Sequence, residues 1–248
     1  NWTSQNTLQS DIAMVGFDEF GDCWGGYVGP SVDLQDAFGV NALVSPENRS
    51  DIDVRRKATM MMAGDKYEYF WKDKGGFDYL KFIYDKDGYG AGGPGGVYQS
   101  GSGANCVKHL YGNANDHIAG LGVSADRMAN GLSTHILRLA DVYLIYAEAV
   151  NELNGGPDAE AYNQVNRIRT RANATPFSGM NQNEFRSAVL EERARELAYE
   201  ADRRYELFRW GIYLGVMNAI DMDEHNVTKR RLERNLLYPL PISAVSYT

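Results

Sequence analysis

Seven aromatic side chains in the first half of the sequence are the best suited to contact a ligand. They lie in or beside glycine-rich loops and are Trp24, Tyr27, Tyr67, Tyr69, Trp71, Tyr89 and Tyr98. Flat aromatic faces with polar groups beside them suit sugar rings, which present apolar C–H faces and equatorial hydroxyl groups. In an extended segment, Tyr67 and Tyr69 would lie on one side and Phe70 on the other. These residues predict a ligand-binding surface; the alternative is that they pack in the core or against the loops.

One glycine-rich loop matches two binding motifs only in part. Residues 88–93 have the spacing of dinucleotide-binding glycines, but the Pro-Gly-Gly that follows leaves no place for the helix that must begin there. Asp85, Asp87 and Gly90 match positions one, three and six of a calcium loop, whereas position twelve is Gly96 instead of glutamate. This pattern excludes an EF-hand and leaves an irregular calcium site open.

The sequence contains no complete catalytic or zinc-binding motif. We find no Walker loop, no His-Glu-x-x-His and no nucleophile elbow. Cys23 and Cys106 lack zinc-site spacing, and the four histidines are scattered. We therefore predict no metal, no cofactor and no catalytic residue. Two alternatives stay open. One is a pair of acids of a glycosidase, whose separation a sequence does not reveal. The other is a disulfide between Cys23 and Cys106 instead of two buried thiols.

Charge and hydropathy exclude two classes of partner. The formal net charge of −8 argues against nucleic acid and against binding to anionic lipid through a basic patch. No apolar run approaches the length of about 20 residues that a membrane-spanning helix needs. The sequence opens with Asn1 instead of Met and has no signal peptide, so we expect it to be the inside of a longer protein.

Composition divides the chain near residue 135. Of the 26 glycines, 21 precede this point. Residues 1–135 therefore predict an irregular, ligand-facing section of loops and short strands, and residues 136–248 predict a helical section. We expect the two sections to form one compact unit.

Apolar spacing, caps, glycines and prolines predict the individual elements. Strands are predicted at 11–17, 57–63 and 66–71, the last two as a hairpin around Gly64 and Asp65. Helices are predicted at 31–38, 137–153, 157–172, 184–211 and 212–220, and an extended segment at 236–241. The two-glycine connection between the second and third of these helices predicts an antiparallel helix pair.

The predicted helix at 184–211 is dense in charge. Asn181 and Glu184 form a plausible capping pair at its start. Opposite charges recur three and four residues apart along it. Two interpretations fit: a solvated helix with surface salt bridges, or a buried ion network that holds the scaffold behind the loops. Neither is catalytic, and Arg138 and Asp141 are assigned the same scaffold role.

Four segments, in this order, resemble the sequence pattern of the SusD/RagB family of nutrient-binding outer-membrane lipoproteins of Bacteroidetes. They are Leu137–Ala149, Val165–Ala172, Glu192–Gly211 and Tyr238–Pro241. The resemblance is specific over residues 137–241. Over residues 1–136 it is limited to features such as Asp53-x-Arg55.

The resemblance implies a fold and a function. The implied fold is mainly α, with tetratricopeptide-like helix pairs, one of them at residues 137–172, and an irregular loop-rich section containing short strands. The implied function is non-catalytic capture of a glycan or related nutrient by a surface-exposed lipoprotein of the outer membrane. The implied partner is a SusC-like TonB-dependent transporter, which receives the ligand.

The resemblance also implies that this chain is a C-terminal portion, with membrane contact only through a lipid anchor absent from it. Two other functions stay open, a surface glycoside hydrolase and a structural partner of the transporter without a ligand site of its own. Peptide ligands stay open as well, since the family does not fix the substrate class.

Overall fold

The structure of the protein is a computed structural model that divides into two compact units, residues 1–199 and 200–248. It describes residues 14–15, 24–25, 29–40, 44–49, 51–68, 75–80, 102–108, 135–200, 203–220 and 231–238. The predicted division near residue 135 stays a prediction.

Helices make up most of the described residues. In chain order they are α1 (Val32–Ala37), α2 (Arg55–Thr59), α3 (Leu139–Asn154), α4 (Ala159–Arg171), α5 (Gln182–Glu196), α6 (Arg203–Arg209) and α7 (Tyr213–Ala219), with 3-10 turns at Pro46–Asn48 and Glu233–Leu236. Among the described residues, none of these helices is long and apolar enough to span a lipid bilayer.

The described strands are two or three residues long and pair in antiparallel twos. They are β1 (Met14–Val15) with β2 (Trp24–Gly25), β3 (Met60–Met62) with β6 (Ala104–Cys106), and β4 (Lys66–Tyr67) with β5 (Phe77–Asp78). β3 and β6 are completely buried, and they pack with α1 around a small apolar cluster. The predicted fold class is confirmed, since the chain is mainly helical with short strands in its first section.

Three helices, α3, α4 and α5, pack around the larger apolar core of the first unit. Its buried members are Ala140, Leu144, Ala147, Ala161, Val165, Ile168, Phe185, Val189 and Leu197. Tyr162 meets Phe185 edge to face, with ring centroids 5.0 Å apart. The buried Asn151 amide donates to the Gln182 carbonyl at 3.0 Å and ties α3 to the start of α5. The predicted helix pair at 137–153 and 157–172 therefore exists as α3 and α4.

The start of α4 differs from the prediction by two residues. Pro157 was expected to open this helix, but Asp158 is its N-cap, and its side chain accepts a hydrogen bond from the Ala161 N–H at 2.8 Å. A carboxylate at the N-cap satisfies a helix N–H that would otherwise lack a partner.

The predicted cap of α5 is confirmed as a complete capping box. The Asn181 side chain accepts from the N–H of Asn183 and Glu184, and the Glu184 carboxylate accepts from the Asn181 N–H at 2.9 Å. We expect Asn181→Ala to lower the free energy of unfolding by about 1 kcal/mol, because two helix N–H groups lose their acceptor. Urea denaturation of the whole protein measures this change. Ser187→Ala, on the exposed side of the same helix, is the control and should change stability by less than about 0.5 kcal/mol.

The prediction of one helix over 184–211 is wrong, because α5 ends at Glu196 and α6 begins at Arg203. Two side chains from elsewhere in the fold donate hydrogen bonds to carbonyl groups at the end of α5 and just after it. Lys108 Nζ donates to the carbonyls of Glu196 and Ala198 at 2.8 and 2.9 Å, and Arg138 donates to the Glu196 carbonyl at 2.6 Å. Tyr199 then adopts a left-handed conformation with φ of 65°. Cations near the C-terminus of a helix stabilise that end. The end of α5 is therefore set by tertiary contacts.

The predicted hairpin around Gly64 and Asp65 is also wrong. The chain does turn there, with the Asp65 N–H donating to the Met62 carbonyl at 3.0 Å. The two flanking strands, however, do not pair with each other. β3 pairs with the distant β6, β4 pairs with β5, and residues 55–59 are helical. Gly64 has φ of 89°, and a Cβ there would lie 2.6 Å from the Pro46 side chain, so the turn requires glycine.

Among the described residues of the second unit, α6, α7 and the 3-10 turn at Glu233–Leu236 are held together by aromatic and polar contacts. Phe208 stacks on Tyr213 with ring centroids 4.3 Å apart. The Asn218 side chain bonds both the N–H and the carbonyl of Arg231. The predicted short helix at 212–220 is confirmed as α7. The extended segment predicted at 236–241 begins one residue too early, because Leu236 is the last residue of the 3-10 turn. Leu237 has extended dihedral angles, and the residues after Tyr238 lie outside the described part.

Candidate functional site

Glu192 is the centre of a buried ion network in the first unit. Its side chain is 0% exposed and lies on α5. One oxygen accepts from Arg55 at 2.7 Å, and the other accepts from Arg169 at 2.5 Å and Arg195 at 3.2 Å. Three elements therefore meet at one carboxylate, namely α2, α4 and α5.

Glu196 is the second centre of the same network, one helical turn further along α5. It accepts from Arg138 at 2.6 Å, from Arg171 at 2.5 Å and from Arg55 at 2.9 Å. Arg55 is shared by both carboxylates and also forms a two-point contact with Asp53, at 2.9 and 2.6 Å. The planar guanidinium suits this bridging role because its donors lie in a fixed fork.

This network fastens the segment around Asp53 and Arg55 to the helical core. Burial by itself would lower the pKa of Arg55, but the carboxylates of Asp53 and Glu192 raise it. Arg195 also reaches the C-terminal end of α1, where it donates to the Ala37 carbonyl at 3.0 Å. Of the two interpretations of the charged helix, the buried network is confirmed for this part of it.

The Glu196 carboxylate gives the protein a specific response to acid. Burial would raise its pKa, but hydrogen bonds from Arg138, Arg171 and Arg55 lower it to about 2. A carboxyl group with a lowered pKa stabilises the fold above its unfolded pKa near 4.5, and this stabilisation disappears as the pH falls toward 2. We expect the difference in unfolding free energy between wild type and Glu196→Gln to shrink by about 3 kcal/mol over this range. Urea denaturation at a series of pH values measures it, and a difference independent of pH would contradict the assignment.

A second buried ion cluster joins α2 to the turn between β3 and β4. Arg56 is almost completely buried, donates to Asp65 at 2.5 and 3.0 Å, and also contacts Asp51. Asp65 accepts in addition from the Met62 N–H at 2.7 Å. The cluster fixes the turn that directs β3 and β4 to different partners.

Tyr67 is the one predicted ligand residue whose side chain lies in the described part of the chain. It stands in β4 opposite Phe77, half-buried, and its hydroxyl donates to the Lys57 carbonyl at 2.9 Å. The Lys57 ammonium lies 5.2 Å from the centre of its ring. Burial and the negative charge of Asp65 both raise the pKa of Tyr67. The Tyr67 hydroxyl therefore has a place within the fold, and its role toward a ligand stays a prediction.

The structure does not bring the other predicted ligand residues together in its described part. Trp24 lies in β2 opposite Val15. The residues Tyr27, Tyr69, Trp71, Tyr89 and Tyr98 lie outside the described residues, as does the glycine-rich loop at 85–96. Tyr69 and Trp71 belong, by sequence, to the connection between β4 and β5.

The described residues that follow this connection in the sequence are buried and hydrogen-bonded. Phe77 and Tyr79 are buried, and the Tyr79 hydroxyl donates to the buried Asn105 at 2.5 Å. The Tyr79 N–H donates to the Asp65 carbonyl at 3.0 Å, and this hydrogen bond links the residue after β5 to the Arg56 cluster. The residues on either side of the connection are therefore held by buried hydrogen bonds.

The described residues contain no group of three or more His, Cys, Asp or Glu side chains that could hold a metal ion. Cys106 is fully buried in β6. Cys23 lies outside the described part, so the alternative of a disulfide between the two cysteines stays open. The buried carboxylates on α5 are occupied by arginines, an arrangement that suits a scaffold.

Sequence reasoning missed the long-range partners of this scaffold. Arg138 and Asp141 were considered together, but Arg138 pairs with Glu196, and Asp141 accepts from Arg193 at 2.7 Å. The Asp53-x-Arg55 triplet was the available signal, and its role as the bridge to α5 appears only in three dimensions.

The chain matches the sequence profile of the SusD family over residues 26–246. The resemblance seen in the sequence motifs is thereby confirmed. The match includes both the loop-rich section and the helical section.

Three curated relatives carry the same family designation. A SusD-like protein of Bacteroides ovatus is 28% identical over 215 residues, which are 86% of this chain and 32% of that protein. SusD-like protein P25 of Formosa agariphila is 48% identical over 90 residues, 35% of this chain and 17% of that protein. SusD-like protein P2 of the same organism is 42% identical over 81 residues, 29% of this chain and 16% of that protein. The chain thus spans less than a third of the length of the curated relatives it matches.

Solved structures share the fold. A crystal structure with a xylogluco-oligosaccharide superposes with a TM-score of 0.60 at 26% identity, covering 89% of this chain and 38% of that one. A SusD homolog from Bacteroides thetaiotaomicron gives a TM-score of 0.53 at 26% identity, covering 79% of this chain and 39% of that one.

Proposed function

This chain belongs to the SusD family, and we propose on that basis that it is part of a non-catalytic protein that captures a glycan or related nutrient at the cell surface. We further propose that the protein is a surface-exposed lipoprotein of the outer membrane. It would hand its ligand to a SusC-like TonB-dependent transporter.

One observation carries the glycan-binding proposal. The relative solved with a xylogluco-oligosaccharide shares the fold over 89% of this chain. Because the chain spans only 38% of that relative, ligand contacts from the rest of such a protein are expected to contribute as well.

The described geometry supports a binding role through rigidity. The Arg56–Asp65 cluster holds the turn before β4, and the Tyr79–Asn105 hydrogen bond holds the residue after β5, on the two sides of the connection that carries Tyr69 and Trp71. Residues that are already fixed lose little conformational entropy when a ligand binds beside them. Trp71 and Trp24 are the aromatic residues we propose as the main sugar contacts.

Affinity electrophoresis of the whole protein through gels that contain soluble polysaccharides, a xyloglucan among them, tests this proposal. We expect one polysaccharide to retard the protein, and Trp71→Ala or Trp24→Ala to abolish the retardation. Tyr146→Ala is the matched control, since Tyr146 is an exposed aromatic residue on α3, and it should leave the retardation unchanged.

Two results would overturn the proposal. New reducing ends in the gel would show a glycoside hydrolase. Absence of retardation by every polysaccharide would leave a non-glycan nutrient or a purely structural role at the transporter.

A further inference from the structure

We propose that the second unit carries a subsite for the acidic group of an anionic glycan, formed by Arg204, Tyr205 and Tyr238. This proposal rests on the proposed glycan-binding function and names the class of ligand. The shared chemistry is a carboxylate or a sulfate ester on a sugar ring.

Arg204 is held in place by three aromatic rings. Its guanidinium carbon lies 4.7 Å from the centre of the Tyr238 ring, 5.2 Å from that of Phe208 and 5.8 Å from that of Tyr213. Phe208 and Tyr213 are themselves stacked. A guanidinium within about 6 Å of a ring centre is attracted to the π-electrons of the ring, so these contacts position the side chain without a hydrogen bond or salt bridge to the described residues.

Within the described part of the chain, the N–H groups of Arg204 have no hydrogen-bond acceptor. Arg204 is exposed, and with the described residues it forms neither a salt bridge nor a hydrogen bond. This sets it apart from the arginines of the first unit that reach Glu192 and Glu196. A planar fork of donors matches the paired oxygens of a carboxylate or sulfate.

Two exposed tyrosines stand beside this arginine. Tyr205 is 59% exposed and Tyr238 is 60% exposed, and their hydroxyl groups lie 3.3 Å apart. Each ring offers an apolar face to sugar C–H groups, and the joined hydroxyls offer both donors and acceptors to sugar hydroxyls. Together with Arg204 they combine the contacts that a charged sugar needs.

The distribution of charge favours an anion at this place. Residues 200–248 contain seven Lys and Arg and seven Asp and Glu, so the whole formal charge of −8 lies on residues 1–199. On α6 three arginines, Arg203, Arg204 and Arg209, outnumber the one carboxylate, Glu206, which is buried and lies 3.7 Å from Arg209. An acidic ligand therefore meets a helix of net positive charge, in a unit without the negative net charge of residues 1–199.

A protein surface is the competing occupant, since Leu237 next to Tyr238 is 77% exposed. The hydroxyl pair and the in-plane donors of Arg204 favour a polar, anionic ligand instead. Co-purification of the protein with the membrane transporter tests for the competing occupant.

The experiment measures the affinity of the whole protein for matched polysaccharides by affinity electrophoresis. One pair is polygalacturonate and its methyl ester, and the other is a sulfated galactan and its desulfated form. We expect tighter binding to the acidic member of one pair, and Arg204→Gln to weaken that binding about tenfold. The pair that responds identifies the carboxylate or the sulfate ester.

The control variant is Arg234→Gln, which removes the same charge from another exposed arginine of the second unit. It should change the affinity less than about twofold, the effect of net charge alone at moderate salt. Tyr238→Phe keeps the ring under Arg204 and removes only the hydroxyl, so it should weaken binding without affecting the thermal unfolding of the protein.

Four results would overturn the proposal. They are equal losses in Arg204→Gln and Arg234→Gln, equal affinity for the acidic and neutral members of both pairs, an Arg204→Gln effect confined to co-purification with the membrane transporter, and no binding to any polysaccharide. Equal affinity for the two members would leave the proposed glycan-binding function intact, whereas absence of all binding would remove both proposals.

Discussion

Replacing Glu192 by glutamine is expected to lower the free energy of unfolding by about 3–5 kcal/mol. The variant keeps the size of the side chain but removes the negative charge that Arg55, Arg169 and Arg195 share. Burial lowers the pKa of Arg169, and the positive charges of Arg195 and Arg55 add to that effect. Glu192 is the charge that opposes both, and its loss leaves the buried Arg169 without a carboxylate partner among the described residues.

Urea denaturation followed by circular dichroism measures this effect. Glu191→Gln is the matched control, because Glu191 is the preceding residue, is 69% exposed and contacts Arg195 only at 3.8 Å. We expect the control to change stability by less than about 0.5 kcal/mol. A Glu192→Gln variant as stable as this control would show that the network contributes nothing to the fold.

Asp65→Asn is expected to destabilise the protein by about 3 kcal/mol. Arg56 is 1% exposed, and Asp65 is its buried counter-charge. The amide that replaces the carboxylate can still accept from the Met62 N–H, so the change isolates the loss of charge beside Arg56.

Asp51→Asn provides the comparison, since Asp51 contacts the same arginine but is 47% exposed. Water screens that pair, and its removal should cost less than about 1 kcal/mol. Thermal unfolding of the two variants side by side tests the difference. Equal stability losses would mean that burial of Asp65 does not control the strength of the pair.

The helical section could be predicted well because its signals are local. The caps at Asn181 and Asp158, the glycines at 155–156 and the apolar spacing of α3 and α4 each act within a few residues. Local signals of this kind predict where a helix begins and which face is buried.

The breaks between elements could not be predicted, because distant residues cause them. α5 ends where Lys108 and Arg138 take its carbonyl groups, and neither residue is near it in the sequence. β3 pairs with β6 more than forty residues away, which a pattern of alternating residues does not reveal. Both errors arose where tertiary contacts override local preference.

The ligand-facing section stays a prediction from composition, and the geometry of its residues could not be predicted from the sequence. Glycine and aromatic content indicated a ligand-facing section, but the position of Tyr67 depends on the Arg56–Asp65 cluster and on hydrogen bonds to the segment before β3. From the sequence, Arg204 is only one of the charged residues of the predicted helix at 184–211. In the fold it lies against Tyr238, thirty-four residues later.

The central claim, non-catalytic capture of a glycan, is tested most directly by a calorimetric titration combined with product analysis. The whole protein is titrated with the polysaccharide that retards it most in affinity electrophoresis, and the mixture is then assayed for new reducing ends after prolonged incubation. The account predicts saturable binding, lost in Trp71→Ala, with a polysaccharide of unchanged length. Shortened chains that accumulate in proportion to protein concentration would contradict it.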